Sequence, residues 1–196
     1  MDAKSLIVGI SGASGIIYGI RLLEVLSEVE GIETHLIMSS AAKRTMLLET
    51  DYSIELVEAV ADHAHRQSDI AATISSGSHR TLGMVVAPCS MKTLSGIVNS
   101  YADNLLLRAA DVVLKERRKL ILLPRETPLH LGHLRLMTQA SEIGAIVMPP
   151  LPAFYHRPAT IQDLIDHSVN RILDLLGIDL EEDLFKRWEG PSASKS

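Results

Sequence analysis

Five runs of apolar residues punctuate the chain, at 6–10, 35–38, 84–87, 120–123 and 145–148, and none of them alternates apolar with polar. A strand with one face in water alternates. Unbroken Val, Ile and Leu runs belong instead to strands buried on both faces, as in a parallel sheet covered by helices. Between the runs, apolar spacing predicts helices over 15–30, 40–49, 54–64, 91–99, 104–117 and 129–143, with a long final helix over 160–176. Thr160 and Asp163 set an N-cap pattern for that last helix, and Gly177 provides its C-cap. Strands alternating with helices predict an α/β fold: a doubly wound, flavodoxin/Rossmann-like three-layer sandwich with a mainly parallel sheet. One domain is expected over 1–190, with 191–196 as a disordered tail.

In such a fold ligands bind outside the carboxyl ends of the strands, so the strand exits locate the site before any motif does. They read Ser11-Gly12-Ala13-Ser14-Gly15, Ser39-Ser40, Pro88-Cys89-Ser90-Met91-Lys92-Thr93 and Pro124-Arg125-Glu126. Hydroxyls and helix N-terminal amides converging on one edge favour an anion such as phosphate. Gly9-x-Ser11-Gly12-x-x-Gly15 lacks the Gly-x-Gly opening of a dinucleotide fingerprint. The second strand ends in Ser39-Ser40 where a dinucleotide site wants an acidic residue for the ribose, so FMN fits better than NAD. The same loop is also read as a tight turn with an ordinary cap.

Arg108, Asp111 and Lys115 are three and four residues apart and share one helix face. They form either a surface ion pair or two cations aimed at the anion site, with Asp111 orienting one of them. Arg125 and Glu126 leave the fourth run at the ligand edge. The proline-rich segment 149–158 carries Phe154 and Tyr155 and reads as a rigid linker, an oligomer arm, or a lid over the site.

Composition narrows the functional classes. The chain has 196 residues, 46% hydrophobic and 22% charged, and only 4% aromatic, so its core is aliphatic. A net charge of -5 argues against a nucleic-acid stripe, and no apolar run is long enough for a membrane span. The single cysteine, Cys89, rules out an internal disulfide and fits a cytoplasmic location. It reads as a small buried hydrophobe rather than a nucleophile. His63-x-His65 and His130-x-x-His133 lack a third ligand at metal spacing and are expected on solvated helices; no metal is expected.

Together, Ser11–Gly15, Pro88-Cys89-Ser90, Ala109-Ala-Asp-Val-Val-Leu-Lys115-Glu-Arg-Arg118, Pro124-Arg125-Glu126-Thr127-Pro128 and Phe154-Tyr155-His156-Arg157-Pro158 resemble the UbiX-type flavin prenyltransferases, from about Leu6 to Trp188. The stretch from Thr127 to Met137 is most similar to enterobacterial ubiquinone-pathway members. The resemblance implies a metal-independent transferase that joins a dimethylallyl group from dimethylallyl monophosphate to reduced FMN, giving prenylated FMN for a UbiD-type decarboxylase. It implies a homododecamer whose sites are completed by neighbouring subunits. By motif, Gly12, Ala13, Ser14, Ser39, Ser90, Met91, Lys92, Thr93 and Arg125 contact FMN. Arg108, Lys115, Glu126, Tyr155 and Arg171, with Glu49, surround the prenyl phosphate and the reacting atoms, and Glu49, Lys115, Glu126 and Ser14 are the catalytic set.

The residue types agree with that chemistry. No Asp-Asp-x-x-Asp motif is present to hold magnesium and pyrophosphate. Fixed cations, Arg108, Lys115, Arg125 and Arg171, can stabilise a departing monophosphate instead. Some relatives carry a tryptophan-containing loop before the third run, where this chain has the short Ser75-Ser-Gly-Ser-His-Arg-Thr81. Two alternatives share the loop chemistry: an FMN-dependent cysteine decarboxylase of the phosphopantothenoylcysteine type, and a non-enzymatic flavin carrier.

Overall fold

The computed structural model describes residues 3–188 and 190, so the tail expected at 191–196 lies outside the described residues. The chain divides into two compact units, Met1–Pro150 and Leu151–Ser196.

In the first unit the order is β1 (Lys4–Ile10), α1 (Ile16–Ser27), β2 (Ile32–Met38), α2 (Ser40–Glu49), α3 (Ile54–Val60), β3 (His63–Arg66), a 3₁₀ turn (Thr73–Ser75), β4 (Thr81–Cys89), α4 (Met91–Val98), α5 (Leu105–Lys115), β5 (Lys119–Pro124), α6 (Leu131–Glu142) and β6 (Ile146–Val147). The six strands form one sheet in the order β3-β2-β1-β4-β5-β6, with every neighbouring pair parallel. Without the short edge strand β3 this is the flavodoxin order; with it, the six-strand Rossmann order. The order reverses between β1 and β4, which places the crevice at the carboxyl ends of those two strands.

Both sheet faces are buried, as the unbroken apolar runs require. Register aligns Ile7 with Met84 and Val8 with Val85, so neighbouring strands present the same face together. One face contributes Ile7, Ile37, Met84, Val86, Leu120 and Leu122 to a core with Leu94, Leu106, Val113 and Ala140 from α4, α5 and α6. The opposite face carries Leu6, Val8, Ile10, Val85 and Ala87, all fully buried. Helix α1 seats on that face at Gly19, where a Cβ would fall 2.3 Å from the Ala87 carbonyl oxygen.

One element departs from the periodicity. The helix predicted over 54–64 stops at Val60, and His63–Arg66 pairs with β2 as its second parallel neighbour, at the sheet edge. Asp62 holds this junction by accepting hydrogen bonds from the Thr34 amide (2.7 Å) and hydroxyl (2.8 Å). A four-residue edge strand rich in histidine has no apolar run to announce it. His63 and His65 therefore lie on a sheet edge, not on the expected solvated helix.

The second unit holds α7 (Ile161–Leu176). Thr160 and Asp163 form a reciprocal capping box and Gly177 closes the helix in the left-handed region at φ 77°, both as the sequence predicts. Among the described residues no helix is long and apolar enough to cross a membrane.

Candidate functional site

At the carboxyl edge of the sheet, three helix N-termini meet. Ser39 caps α2 by accepting from the Ala42 amide (3.0 Å), Ser90 caps α4 by accepting from Thr93 (3.2 Å), and Asn104 caps α5 by accepting from Leu107 (3.2 Å). These side chains pre-order the first turns, and each helix brings the positive end of its dipole to the same place. Between them lies a cavity of about 350 Å³ lined by Gly12, Ser39, Ser40, Arg44, Gln67, Ser90, Lys92, Thr93 and Asn104, with Leu106 and Leu107 as its apolar wall. Amides and two cations against an aliphatic wall suit a ligand with a phosphate at one end and a flat apolar ring at the other.

The β1 and β4 exits are locked to each other by Ser11. Its buried hydroxyl donates to the Pro88 carbonyl (2.9 Å) and accepts from the Ser90 amide (2.7 Å). Gly12 then passes so close to α2 that a Cβ would meet that of Ala41 at 2.3 Å. Gly15 turns the chain into α1 at φ 96°, a conformation that favours glycine.

Of the residues expected to contact FMN, Gly12, Ser39, Ser90, Lys92 and Thr93 line this cavity together. Ala13 and Ser14 follow in the β1 exit loop, Met91 opens α4, and the Arg125 amide donates to the Cys89 carbonyl (3.2 Å), bringing the β5 exit beside β4. The Arg125 guanidinium lies near Tyr18, whose hydroxyl is pushed up by burial and drawn partly back by that charge. The hydroxyls of Ser39 and Ser90 serve as helix caps at the cavity. Arg44 and Gln67 also line the cavity, and neither was singled out from the sequence. Arg44 sits one turn inside α2; Gln67 follows β3, the strand that the hydrophobic pattern did not reveal.

Cys89 is fully buried and its thiol is pushed up to about 12 by loss of solvation. It stays a protonated, packed side chain, as expected.

The remaining candidates occupy other places. Glu49 caps α1, accepting from the Gly15 amide (2.9 Å) and the Ile16 amide (3.4 Å). Glu126 is exposed and accepts from the Thr127 amide (3.0 Å). Arg108 donates to Asp111 (2.9 Å) and to the Ser75 carbonyl (3.2 Å), an ion pair along the helix face. Lys115 pairs instead with Glu116 (2.5 Å), whose carboxyl it holds below its ordinary range.

Lys115 is also remote from the cavity in its own chain. Helix α5 begins at the cavity wall and runs 11 residues to Lys115, about 15 Å at 1.5 Å per residue. There the chain turns into the amino end of β5, and Arg118 donates to the carbonyls of His79 (2.6 Å) and Gly77 (2.8 Å) just before β4. The short loop at 75–81 thus packs on the C-terminal end of α5.

In the second unit, Tyr155 hydrogen-bonds His167 through its hydroxyl (2.8 Å), and His156 stacks on His167 with centroids 5.0 Å apart. Arg171 lies one turn beyond His167 on α7 and donates to Asp174 (2.6 Å). Asp174 is shared with Arg187 (2.8 Å), and the two guanidiniums hold its carboxyl low, Arg187 the more strongly. The proline-rich segment is not extended throughout: the Arg157 amide donates to the Phe154 carbonyl (3.0 Å), closing a turn with Arg157 at φ 55°.

Residues 1–173 match the family model described as Flavoprotein. The chain is 68% identical over 187 residues to the flavin prenyltransferase UbiX of Escherichia coli strain K12, covering 95% of this chain and 99% of that protein. Among solved structures it is similar to AnUbiX in complex with FMN and dimethylallyl pyrophosphate, at 48% identity and a TM-score of 0.92, over 96% of this chain and 98% of that one. A dodecameric FMN-dependent UbiX-like decarboxylase from Escherichia coli O157:H7 is 53% identical with a TM-score of 0.91, over 95% of this chain and all of that one. The peptidyl-cysteine decarboxylase EpiD, at 14% identity and a TM-score of 0.62 over 89% of this chain and 98% of that one, shares the fold alone.

Proposed function

This chain belongs to the UbiX flavin prenyltransferases, and on that footing we propose that it transfers a dimethylallyl group from dimethylallyl monophosphate to N5 and C6 of reduced FMN. The product, prenylated FMN, goes to a UbiD-type decarboxylase in ubiquinone biosynthesis. The observation that carries this reading is the cavity where the N-termini of α2, α4 and α5 converge beside Lys92 and Arg44. Its donors fit a flavin phosphate, and the close approach at Gly12 leaves the backbone bare for it.

Reduced FMN supplies the nucleophilic ring atoms when bound; the protein's own groups place it and handle the leaving phosphate. Gly12, Ala13, Ser14, Ser39, Ser90, Met91, Lys92, Thr93 and Arg125 hold the flavin. Arg108, Lys115, Tyr155 and Arg171 hold the prenyl phosphate, and their charge stabilises it as it leaves. Glu49 and Glu126 are the carboxylates available to move a ring proton. Leu106 and Leu107 help exclude water from the reacting carbon.

Lys115 lies at the amino edge of the sheet, so it reaches a flavin only in a neighbouring copy. This supports a homododecamer with composite sites. The single domain over 1–190 belongs to the same reading, supported by a family match that runs across both units. A cytoplasmic location fits the one buried cysteine.

Incubating the protein anaerobically with reduced FMN and dimethylallyl monophosphate, then weighing the flavin, tests the assignment. The flavin should gain one dimethylallyl unit. A flavin of unchanged mass is what a cysteine decarboxylase or a passive carrier would return.

A further inference from the structure

Where β2 and β3 pair at the sheet edge, four histidines and a carboxylate gather. Parallel register places His35 directly beside His63, and the strand period of two puts Glu33 and His65 on the same face. The His35 ring stacks on His63 with centroids 4.7 Å apart and on His65 at 5.2 Å, and His79 meets it edge-on at 5.2 Å. The His35 side chain is 4% exposed. Its Nδ1 shares a proton with Nε2 of His65 (3.0 Å), yet its own Nε2 is buried with no hydrogen-bond partner among the described residues.

An orphaned buried ring nitrogen is costly, and it is aimed at two other donors. Nε2 of His63 lies 2.8 Å from Glu33 Oε1, Nε2 of His35 lies 3.9 Å from Glu33 Oε2, and one ligand atom from each of the three residues falls within 4.8 Å of the others. Bonds of about 2.0–2.2 Å in a tetrahedral site set donors about 3.4 Å apart, a spacing these three approach.

We propose that Glu33, His35 and His63 form a site for one first-row divalent cation of the zinc type, with a fourth position left to water. Two imidazoles and one carboxylate are ligands of that class. In the tautomer in which His35 Nδ1–H donates to His65 Nε2, the Nε2 lone pair of His35 is left for the metal, the usual outer-shell arrangement of a metal-binding histidine. The ion ties β3, paired to β2 over only four residues, into the sheet. None of the three ligands lines the flavin cavity.

Cobalt(II) is the direct probe. Tag-free full-length protein, stripped with chelator, should develop the intense visible absorption of four-coordinate Co²⁺, saturating at one equivalent and bleached by Zn²⁺. Added Zn²⁺ should raise the melting temperature. His63→Ala and Glu33→Gln, both at partly exposed side chains, should each weaken Co²⁺ binding at least roughly tenfold while FMN binding shows that they fold. The double variant His130→Ala, His133→Ala should bind Co²⁺ as the parent does. Absence of the absorption, its persistence in both single variants, or its loss in the His130/His133 variant would overturn the assignment and leave the cluster as neutral packing histidines.

Discussion

Gly12 and Ala41 touch so closely that a methyl group on Gly12 would lie 2.3 Å from the Ala41 Cβ, while the Ala41 backbone atoms would stand off at 3.1 and 3.2 Å. The first loop and the N-terminus of α2 therefore fit only because one of the two lacks a side chain. Gly12→Ala should force them apart at a cost of about 1–3 kcal/mol, which becomes a roughly ten- to hundredfold loss of FMN affinity. Ala41→Gly in the same chain should recover most of it. Titration of FMN fluorescence checks both, and a double variant no better than the single one would show that the contact is not what limits binding.

Ser11 joins two strand exits through one hydroxyl, with the Pro88 carbonyl and the Ser90 amide on either side. Ser11→Ala leaves the amide without its acceptor in a buried place, so stability should fall by about 1–3 kcal/mol. FMN affinity should fall with it, since Ser90 starts α4 at the cavity. Urea denaturation with and without FMN separates the two effects; a variant as stable as the parent would refute the bridging role.

Lys115 should matter to the prenyl phosphate of a neighbouring copy. Lys115→Ala should slow transfer by roughly ten- to hundredfold, the worth of one charge-assisted contact to phosphate, with FMN binding unchanged. Mixed with a flavin-site variant such as Ser14→Trp and reassembled, it should regain activity that neither has alone. Failure of the mixture to exceed both parents, given proven exchange of subunits, would place Lys115 in the site of its own chain.

Acid should act through His35. Burial foremost, then repulsion from His63, His65 and His79, lowers its pKa from 6.5 to about 4, against the opposing pull of Glu33. The unfolded chain takes up this proton near pH 6.5 and the folded chain does not, so the unfolded state binds more protons between those values. Stability is complete above about pH 6.5 and declines toward pH 4, by about 1.4 kcal/mol per pH unit at most and about 3 kcal/mol in all. His65 and His167 are shifted in the same direction and add to the slope. Denaturation of chelator-treated protein from pH 7.5 to 4.5 should show this decline flattened in His35→Gln; an equal slope would assign it elsewhere.

Local signals carried much of this protein. Unbroken apolar runs fixed the β1, β2, β4 and β5 strands and the burial of both faces, because a parallel strand between two helix layers has no polar side. Thr160 and Asp163 marked the start of the last helix, since capping acts within a single turn of chain. The strand exits pointed to the edge where the cavity lies, because in this topology the carboxyl ends of the strands share one edge.

Tertiary structure decided what depends on partners distant in sequence. β3 exists because β2 offers it a free edge and Asp62 holds the turn, not because His63–Arg66 prefers a strand. Gln67 and Arg44 reach the cavity only once that edge and α2 are in place. Helix periodicity put Arg108 and Lys115 on one face, but only the run of α5 across the sheet showed that Lys115 ends at the edge opposite the cavity. The meeting of His35 with His63 is likewise a matter of strand register, which nothing along the chain encodes locally.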